Sequence, residues 1–309
     1  MSIPSEPDGP TCRSVSAREA TEAFLANRSL LFTVAYEMLG SAAGAEDVLQ
    51  ETWLRWHTVD VDQVNDARAY LVRTITRLSL NHLRSSKRRR EVYVGVWLPE
   101  PLLTAPDAVH DLELAESLSM ALMLVLETLT PTERVVYVLR EAFDLGYDEI
   151  ADAVGRPAAT VRQIALRARR HIAVRRPHRT VSAAAARKMT ESLRRALETG
   201  DPQLLLDVLA PDVVLVSDGG GVKRAAVRPI TGAAKVVRFI TGGLGKNAVT
   251  LTCEPVTVNG NAALAVHVDG EFDGILAISV EGDHITGLYF VRNPAKLTHT
   301  KSENPLTLR

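Results

Sequence analysis

The chain has 309 residues, 46% of them apolar, and its 36 Lys and Arg almost cancel its 37 Asp and Glu. That length leaves room for two or three domains with real cores, and two cysteines as distant as Cys12 and Cys253 exclude a disulfide framework or a Cys-rich zinc site. No apolar run reaches membrane-spanning length and the first residues lack the apolar centre of a signal peptide, so the expected location is the reducing cytoplasm.

In chain order, residues 1–16 read as a disordered tail and 17–91 as a helical domain. Ala17 to Leu39 has helical spacing, with Phe24, Leu31, Ala35 and Met38 near one face, and Gly40-Ser41 breaks it. A second helix follows in A-E-D-V-L-Q-E-T-W-L-R-W. Its Leu49, Trp53 and Trp56 share a core face, while Asp47, Gln50, Glu51 and Leu54 fall on the opposite one. That second face is either a solvated surface or a docking surface for a basic helix. Asp66 is the expected N-cap of a third helix with Leu71, Ile75, Leu78 and His82 inward. Tyr70, Arg73, Arg77, Asn81 and Arg84 line its other side. Guanidiniums for phosphates, an amide for a base edge and an aromatic stacking plane fit a nucleic-acid surface, and a solvated arginine-rich face is the alternative.

The run Arg84 to Arg90 is one of two basic clusters that the neutral total hides; the other spans 162–179. Between them, residues 92–110 form a linker containing W-L-P-E-P. Proline fixes its own φ and pushes its predecessor toward extended backbone, so Trp97 to Pro101 should be a stiff strap. Its tryptophan either docks on another surface or fills a local gap.

Residues 111–178 form a second helical block, with an apolar stripe of Leu112, Leu118, Leu122, Val125 and Leu129. Thr130-Pro131-Thr132-Glu133 is a helix start with a capping box. Then a short helix, Tyr147 to Val154, meets Gly155, a residue suited to a left-handed turn, and Pro157 opens another helix. Val161, Ile164 or Ala165, and Ala168 pack back on it, and small Ala151 permits a close crossing. This is a helix-turn-helix whose second helix turns Thr160, Arg162, Gln163, Leu166, Arg167 and Arg170 outward, where Arg can read guanine and Gln adenine.

Residues 183–300 change texture: an amphipathic helix ended by Gly200, then D-V-V-L-V-S, a glycine turn, a helix near A-A-K-V-V-R-F-I, and four more strand-like runs with hairpin turns at N-G-N and E-G-D. Helices followed by antiparallel strands make an α+β domain. Asp218, His267, Asp269, Asp273 and His284 are its possible bases, but none forms a diagnostic pair, and D-G-G-G lacks the spacing of a phosphate loop. No catalytic, metal or cofactor site is expected. Residues 301–309 read as a tail.

Several of these stretches carry a resemblance. A-E-D-V-L-Q-E-T-W-L-R resembles the polymerase-binding helix of extracytoplasmic-function sigma factors. T-P-T-E-R-V-V-Y-V-L-R-E followed by Y-D-E-I-A-D-A-V-G-R-P-A-A-T-V-R-Q resembles their C-terminal promoter-reading domain. W-L-P-E-P, D-G-G-G at 218–221 and N-P-A-K-L at 293–297 are similar to motifs of the SigJ-like subgroup with a SnoaL-like extension.

The resemblance implies a multidomain fold: two all-α domains, a sigma-2 bundle and a sigma-4 helix-turn-helix, plus an α+β NTF2/SnoaL-like cone enclosing a pocket. It implies that Asp47, Gln50, Glu51 and Leu54 dock on core RNA polymerase. Asn65, Arg68, Tyr70, Arg73, Arg77, Asn81 and Arg84 would hold the melted −10 element of promoter DNA, and Thr160, Arg162, Gln163, Arg167 and Arg170 would read the −35 element. It further implies cis regulation by the C-terminal domain through Trp97, Pro99, Glu100, Asp218, Gly219, Gly220, Gly221, Asn293, Pro294, Lys296 and Leu297, with a small-molecule ligand as a further partner. The competing expectations are a stand-alone helix-turn-helix regulator with a ligand-sensing domain and an NTF2-like enzyme.

Overall fold

The computed structural model of the protein describes residues 11–60, 63–90, 93, 95–104, 117–174, 181–244 and 250–301. Three helices, α1 (Thr11–Leu39), α2 (Ala42–Trp56) and α3 (Ala67–Arg90), pack pairwise into the N-terminal domain. The first of them begins inside the segment read as a tail. Gly40 takes φ 65°, Ser41 caps α2 through Gly44 N, and Asp66 caps α3 through Ala69 N. Leu31, Ala35, Met38, Trp56, Leu71 and Ile75 are fully buried, which is the helical spacing of the sequence turned into a core.

Four helices follow: α4 (Met120–Leu126), α5 (Pro131–Glu141), α6 (Tyr147–Val154) and α7 (Ala158–Ala173). The capping box forms, with Glu133 N donating to Thr130 Oγ1 and the Glu133 carboxylate accepting from Thr130 N. Gly155 ends α6 in the left-handed region at φ 66°. Pro157 stands at the N-cap of α7. Both Ile164 and Ala165 are buried beside Val161 and Ala168, so the two alternatives for the inward position are used together. One core runs unbroken from α1 through α7, joining both helical domains. Of the apolar stripe before α5, Leu118, Leu122 and Leu129 are buried and Val125 is half-buried, while Leu112 lies outside the described residues.

The C-terminal domain is α+β. Helices α8 (Ala183–Thr199), α9 (Pro202–Val208) and α10 (Ala233–Leu244) cover one face of a six-stranded sheet in the order β2-β1-β6-β5-β4-β3. Its strands are β1 (Leu209–Asp218), β2 (Ile230–Thr231), β3 (Leu251–Val258), β4 (Asn261–Val268), β5 (Glu271–Glu281) and β6 (His284–Val291). All neighbours are antiparallel except β1 and β6. Asn259-Gly260 closes the β3–β4 hairpin with positive φ at both residues, the requirement of a two-residue hairpin turn. Asp269-Gly270 does the same between β4 and β5, and it explains Asp269: a turn residue whose carboxylate accepts from Thr250 N, not a base.

The helix-covered face of the sheet packs Leu193, Leu197, Val213, Val236, Leu264 and Leu288 into a core of its own. The opposite face is covered by the rest of the chain. Val216, Ala263, Ile275, Ala277, Tyr289 and Val291 meet Leu98 from the strap and Met120 and Ala121 from α4. Helix α4 is apolar all round, and it is buried on both sides: Leu122, Met123 and Leu126 belong to the N-terminal core.

Candidate functional site

The strap is the junction of the molecule. Residues 96–101 have no regular structure, as expected of W-L-P-E-P, but Leu98, Pro99, Glu100 and Pro101 are buried and Trp97 is half-buried. The proline-stiffened segment runs between two domains because both have acceptors and donors for its backbone.

On the C-terminal side, Asp218 Oδ2 accepts from Leu98 N at 2.9 Å, and Lys296 Nζ donates to Leu98 O at 2.6 Å and to Asp218 Oδ2 at 2.7 Å. Both members of that ion pair are buried. Tyr93 donates its hydroxyl proton to Asp218 Oδ1 at 2.6 Å, and Asn293 Nδ2 donates to the Tyr93 oxygen at 2.8 Å. Burial, then the adjacent Asp218, push the Tyr93 phenol far above its ordinary range, so it remains a donor. The Lys296 ammonium also sits 3.9 Å from the Trp97 ring centre and 4.9 Å from that of Tyr93, a cation over two aromatic faces.

The motifs at 218–221 and 293–297 shape this grip. Gly220, at φ 63°, donates its N–H to Asp218 Oδ1, and a β-carbon there would lie 2.3 Å from Asn293 Cγ. One on Gly219 would lie 2.0 Å from the Lys223 carbonyl oxygen. Gly221 continues the left-handed turn at φ 73°. Asn293 Oδ1 caps the short 3-10 turn Pro294–Lys296, which aims Lys296 at the strap, and Leu297 packs into the strap-facing core.

Glu100, grouped by its motif with the C-terminal contacts, faces the other way. Its N–H donates to Gly40 O, its carbonyl accepts from Tyr36 Oη at 2.5 Å, and its carboxylate accepts from Ser41 Oγ, Ala42 N and Ala43 N. Two residues on, Leu102 returns to the C-terminal domain: its N–H donates to Asn259 Oδ1 at 3.0 Å and its carbonyl accepts from Asn259 N at 2.9 Å. Leu103 bridges to Val258 at the β3 edge. Tyr93 and Asn259 are contacts that sequence reasoning missed; N-G-N marked the turn, and nothing in it marked the side chain's second partner.

Asp47, Gln50, Glu51 and Leu54 form one exposed face of α2, with Leu54 59% exposed, unusual for a leucine on a helix whose other face is core. On α3, Arg68, Arg77, Asn81 and Arg84 are exposed and Asn65 precedes the helix; Tyr70 and Arg73 are half-buried. Tyr70 packs on Trp56, and the Arg73 guanidinium lies over the Tyr70 ring. Arg77 differs from a free phosphate ligand. Its guanidinium donates to the carbonyls of Asp152 at 2.8 Å and Ala153 at 3.3 Å, at the C-terminal end of α6. There the helix dipole favours a cation. A cleft of about 680 Å³ separates Asn65, Arg68, Tyr70 and Arg73 from Asp144, Glu149 and Asp152 of the helix-turn-helix domain. On α7, Thr160, Arg162, Gln163, Arg167 and Arg170 are all exposed along one face.

Three of the possible bases of the C-terminal domain, Asp218, Asp269 and Asp273, are held in structural contacts. Asp218 is taken by the strap. Burial alone would raise the Asp273 carboxyl, but hydrogen bonds from Arg292 and Lys223 outweigh it and hold the group below its ordinary range. His267 packs on Phe272, and His284 is exposed where β6 begins. A second cleft, about 530 Å³, opens where the strap meets the sheet edge and is lined by Leu103, Thr104, Arg187, Thr190, Glu191 and Thr257.

Comparison with known proteins follows the same division of the chain. Residues 23–89 match the family model of Sigma-70 region 2, and residues 119–172 match that of Sigma-70, region 4. The chain is 37% identical over 290 residues to the ECF RNA polymerase sigma factor SigJ of Mycobacterium tuberculosis (strain ATCC 25618 / H37Rv), covering 89% of this chain and 92% of the relative. It is 33% identical over 284 residues to the protein described as "Probable ECF RNA polymerase sigma factor SigI" of M. tuberculosis (strain CDC 1551 / Oshkosh), covering 91% and 96%. The crystal structure of M. tuberculosis SigJ superimposes with a TM-score of 0.74 at 34% identity, over 93% of this chain and 100% of that one.

Proposed function

The chain belongs to the extracytoplasmic-function (ECF) family of RNA polymerase sigma factors, which bind core polymerase and direct promoter-specific initiation, and on that premise we propose how its parts divide the work. The face of Asp47, Gln50, Glu51 and Leu54 docks on polymerase, its exposed leucine framed by acidic and amide groups suited to a basic partner helix. The face of Asn65, Arg68, Tyr70, Arg73, Arg77, Asn81 and Arg84 holds the melted −10 strand through phosphates and stacking. The α7 face of Thr160, Arg162, Gln163, Arg167 and Arg170 reads the −35 duplex in its major groove.

The C-terminal domain is a cis-acting regulator and not an enzyme, and the protein acts in the cytoplasm. It holds the strap, and with it a compact arrangement in which Arg77 is spent on α6 and the −10 face looks across a cleft at three carboxylates. Single-stranded DNA and α6 cannot both occupy that face. The observation that carries this reading is the buried Asp218–Lys296 pair closing on both backbone groups of Leu98. A small ligand would act where strap and sheet meet, in the cleft beside Leu103 and Thr104.

The test is promoter-directed run-off transcription with purified core polymerase, comparing the parent with Trp97→Ala, each with and without residues 183–309. The reading expects promoter-specific RNA from the parent, and an effect of the C-terminal domain that shrinks in the alanine variant. An equal effect in both removes the strap as the domain's target. A protein that ignores core polymerase yet binds bare duplex sequence-selectively is a stand-alone regulator.

A further inference from the structure

Glu100 sits at the N-terminus of α2, the helix whose outer face is read above as the polymerase-docking surface. An α-helix leaves its first N–H groups without intrahelical acceptors, and an anion there also meets the positive end of the helix dipole. In α2 these groups are divided between two residues. Ser41 Oγ accepts from Gly44 N at 3.0 Å, while Glu100 Oε2 accepts from Ala42 N at 2.7 Å and Ala43 N at 3.3 Å. Glu100 Oε1 in turn accepts from Ser41 Oγ at 2.8 Å, so the second capping group is itself held by the first. The carboxylate is buried, and among the described residues all of its hydrogen bonds go to the α1–α2 junction.

What holds Glu100 in place is the C-terminal domain. Leu98 is bound on both backbone groups by Asp218 and Lys296, and Leu102 on both by Asn259. The capping residue is therefore suspended between two clamps, each two residues away along a chain stiffened by Pro99 and Pro101. Tyr36 Oη, whose one proton goes mainly to the Glu100 carbonyl, also lies 3.2 Å from Asn259 Oδ1, so the same clamp meets α1.

We propose that Glu100 is a positioning residue for the polymerase-docking helix, and that the C-terminal domain's grip on the strap is transmitted through its carboxylate to polymerase affinity. The inference rests on the docking-face reading of α2. It gives the C-terminal domain a second output beside access to the −10 face: a held strap completes the α2 cap and favours docking. By linkage, bound polymerase tightens the domain's hold on the strap by the same factor.

The experiment measures affinity of the full chain for core polymerase, together with amide exchange at Ala42 and Ala43 in the free chain. Glu100→Leu fills the same space without acceptors; it is expected to weaken binding by about fivefold, the size of a lost N-terminal cap, and to speed exchange at both amides by a similar factor. Glu100→Gln, which keeps one acceptor oxygen, recovers part of both losses. Asn259→Gly suits the left-handed backbone at φ 53°, keeps the backbone bond to Leu102 O, and removes the side chain's contacts with Leu102 N, Tyr36 Oη and Met123 Sδ. It is expected to weaken binding in the parent and to add nothing in Glu100→Leu.

Parent-like affinity or unchanged exchange in Glu100→Leu overturns the inference, as does full multiplication of the two single effects. Leu54→Ala separates the two levels. If it weakens binding while Glu100→Leu does not, only this inference falls; if it leaves binding unchanged, the docking-face reading falls and takes the inference with it.

Discussion

At the scale of single residues, the protein spends buried charge where its domains meet. Lys296 and Asp218 are withdrawn from water, which is tolerable because each also bonds the strap backbone. Removing one partner leaves the other buried without its counter-charge, so Lys296→Met should cost roughly 3 kcal/mol. Urea unfolding followed by Trp fluorescence checks this, and a midpoint equal to the parent's contradicts it. A second buried cluster lies under Gly40. Arg134 pairs with Glu127 and donates to the Glu37 carbonyl, while the Glu37 carboxyl, hydrogen-bonded to Ser117, keeps Oε2 unpartnered. Burial, opposed by Ser117 and the Arg134 charge, pushes Glu37 up from 4.5 to about 8, so it is neutral near pH 7 with Glu127 serving as the counter-ion of Arg134. A carboxyl raised on folding binds its proton more tightly in the folded chain. Its contribution is complete below pH 4.5 and is lost as pH rises through about 8. Stability measured across that window should fall with pH in the parent and fall less in Glu37→Gln; parallel profiles contradict the assignment.

Elements were legible in the sequence where their signals are local. Thr130-Pro131-Thr132-Glu133 predicts its own cap, Gly155 and Gly200 their left-handed helix ends, and Asn259-Gly260 its hairpin, because each depends on neighbours a few residues away. Asp269-Gly270 carries the same signal as Asn259-Gly260, yet the aspartate also fits a possible base, since a turn aspartate and a catalytic one look alike in one dimension. The C-terminus of α6 shows the opposite limit. Arg77 bonds main-chain carbonyls, and every residue has one, so no spacing announces the contact. On α7 the inward pair Ile164 and Ala165 leaves an unambiguous outer face. Gln163→Ala and Arg167→Ala should differ accordingly. We propose that Gln163 reads a base edge and Arg167 a phosphate: loss of the first relaxes sequence preference at one promoter position, whereas loss of the second weakens all sequences alike and lowers the salt slope by about one. Competition binding with a library of −35 variants separates the two, and identical profiles contradict the assignment.

Across the whole molecule, W-L-P-E-P marks a docking strap, but neither its depth of burial nor the partners of its backbone can be read from it. Leu98 belongs to the core beneath the sheet and Leu102 to the core of the helical domains, so the strap is shared between them, as α4 is. Glu100 meets partners some sixty positions away and Leu98 partners far beyond that, through contacts that exist only once three domains have come together. The compact arrangement is held by the core that the helical domains share, by the buried strap and by polar contacts at the edge of the cleft. Arg77→Gln removes one cation from the end of α6, worth under about 1 kcal/mol at an exposed position. It should therefore raise the open population several-fold without unfolding either domain. Amide exchange at the contact between α3 and α6 should speed up several-fold in the variant, and an unchanged rate assigns no share of closure to Arg77.

On the proposed reading, the free chain keeps its −10 face turned toward the helix-turn-helix domain and gives up that contact on a promoter. Spin labels at Ala26 on α1 and Val174 at the end of α7, both exposed and outside the faces assigned to DNA, read the separation of the two domains directly. The account predicts one short distance distribution for the free protein, replaced by a longer one in complex with core polymerase and promoter DNA. A distribution that stays the same between the two states, or a free chain already as extended as the complex, contradicts it.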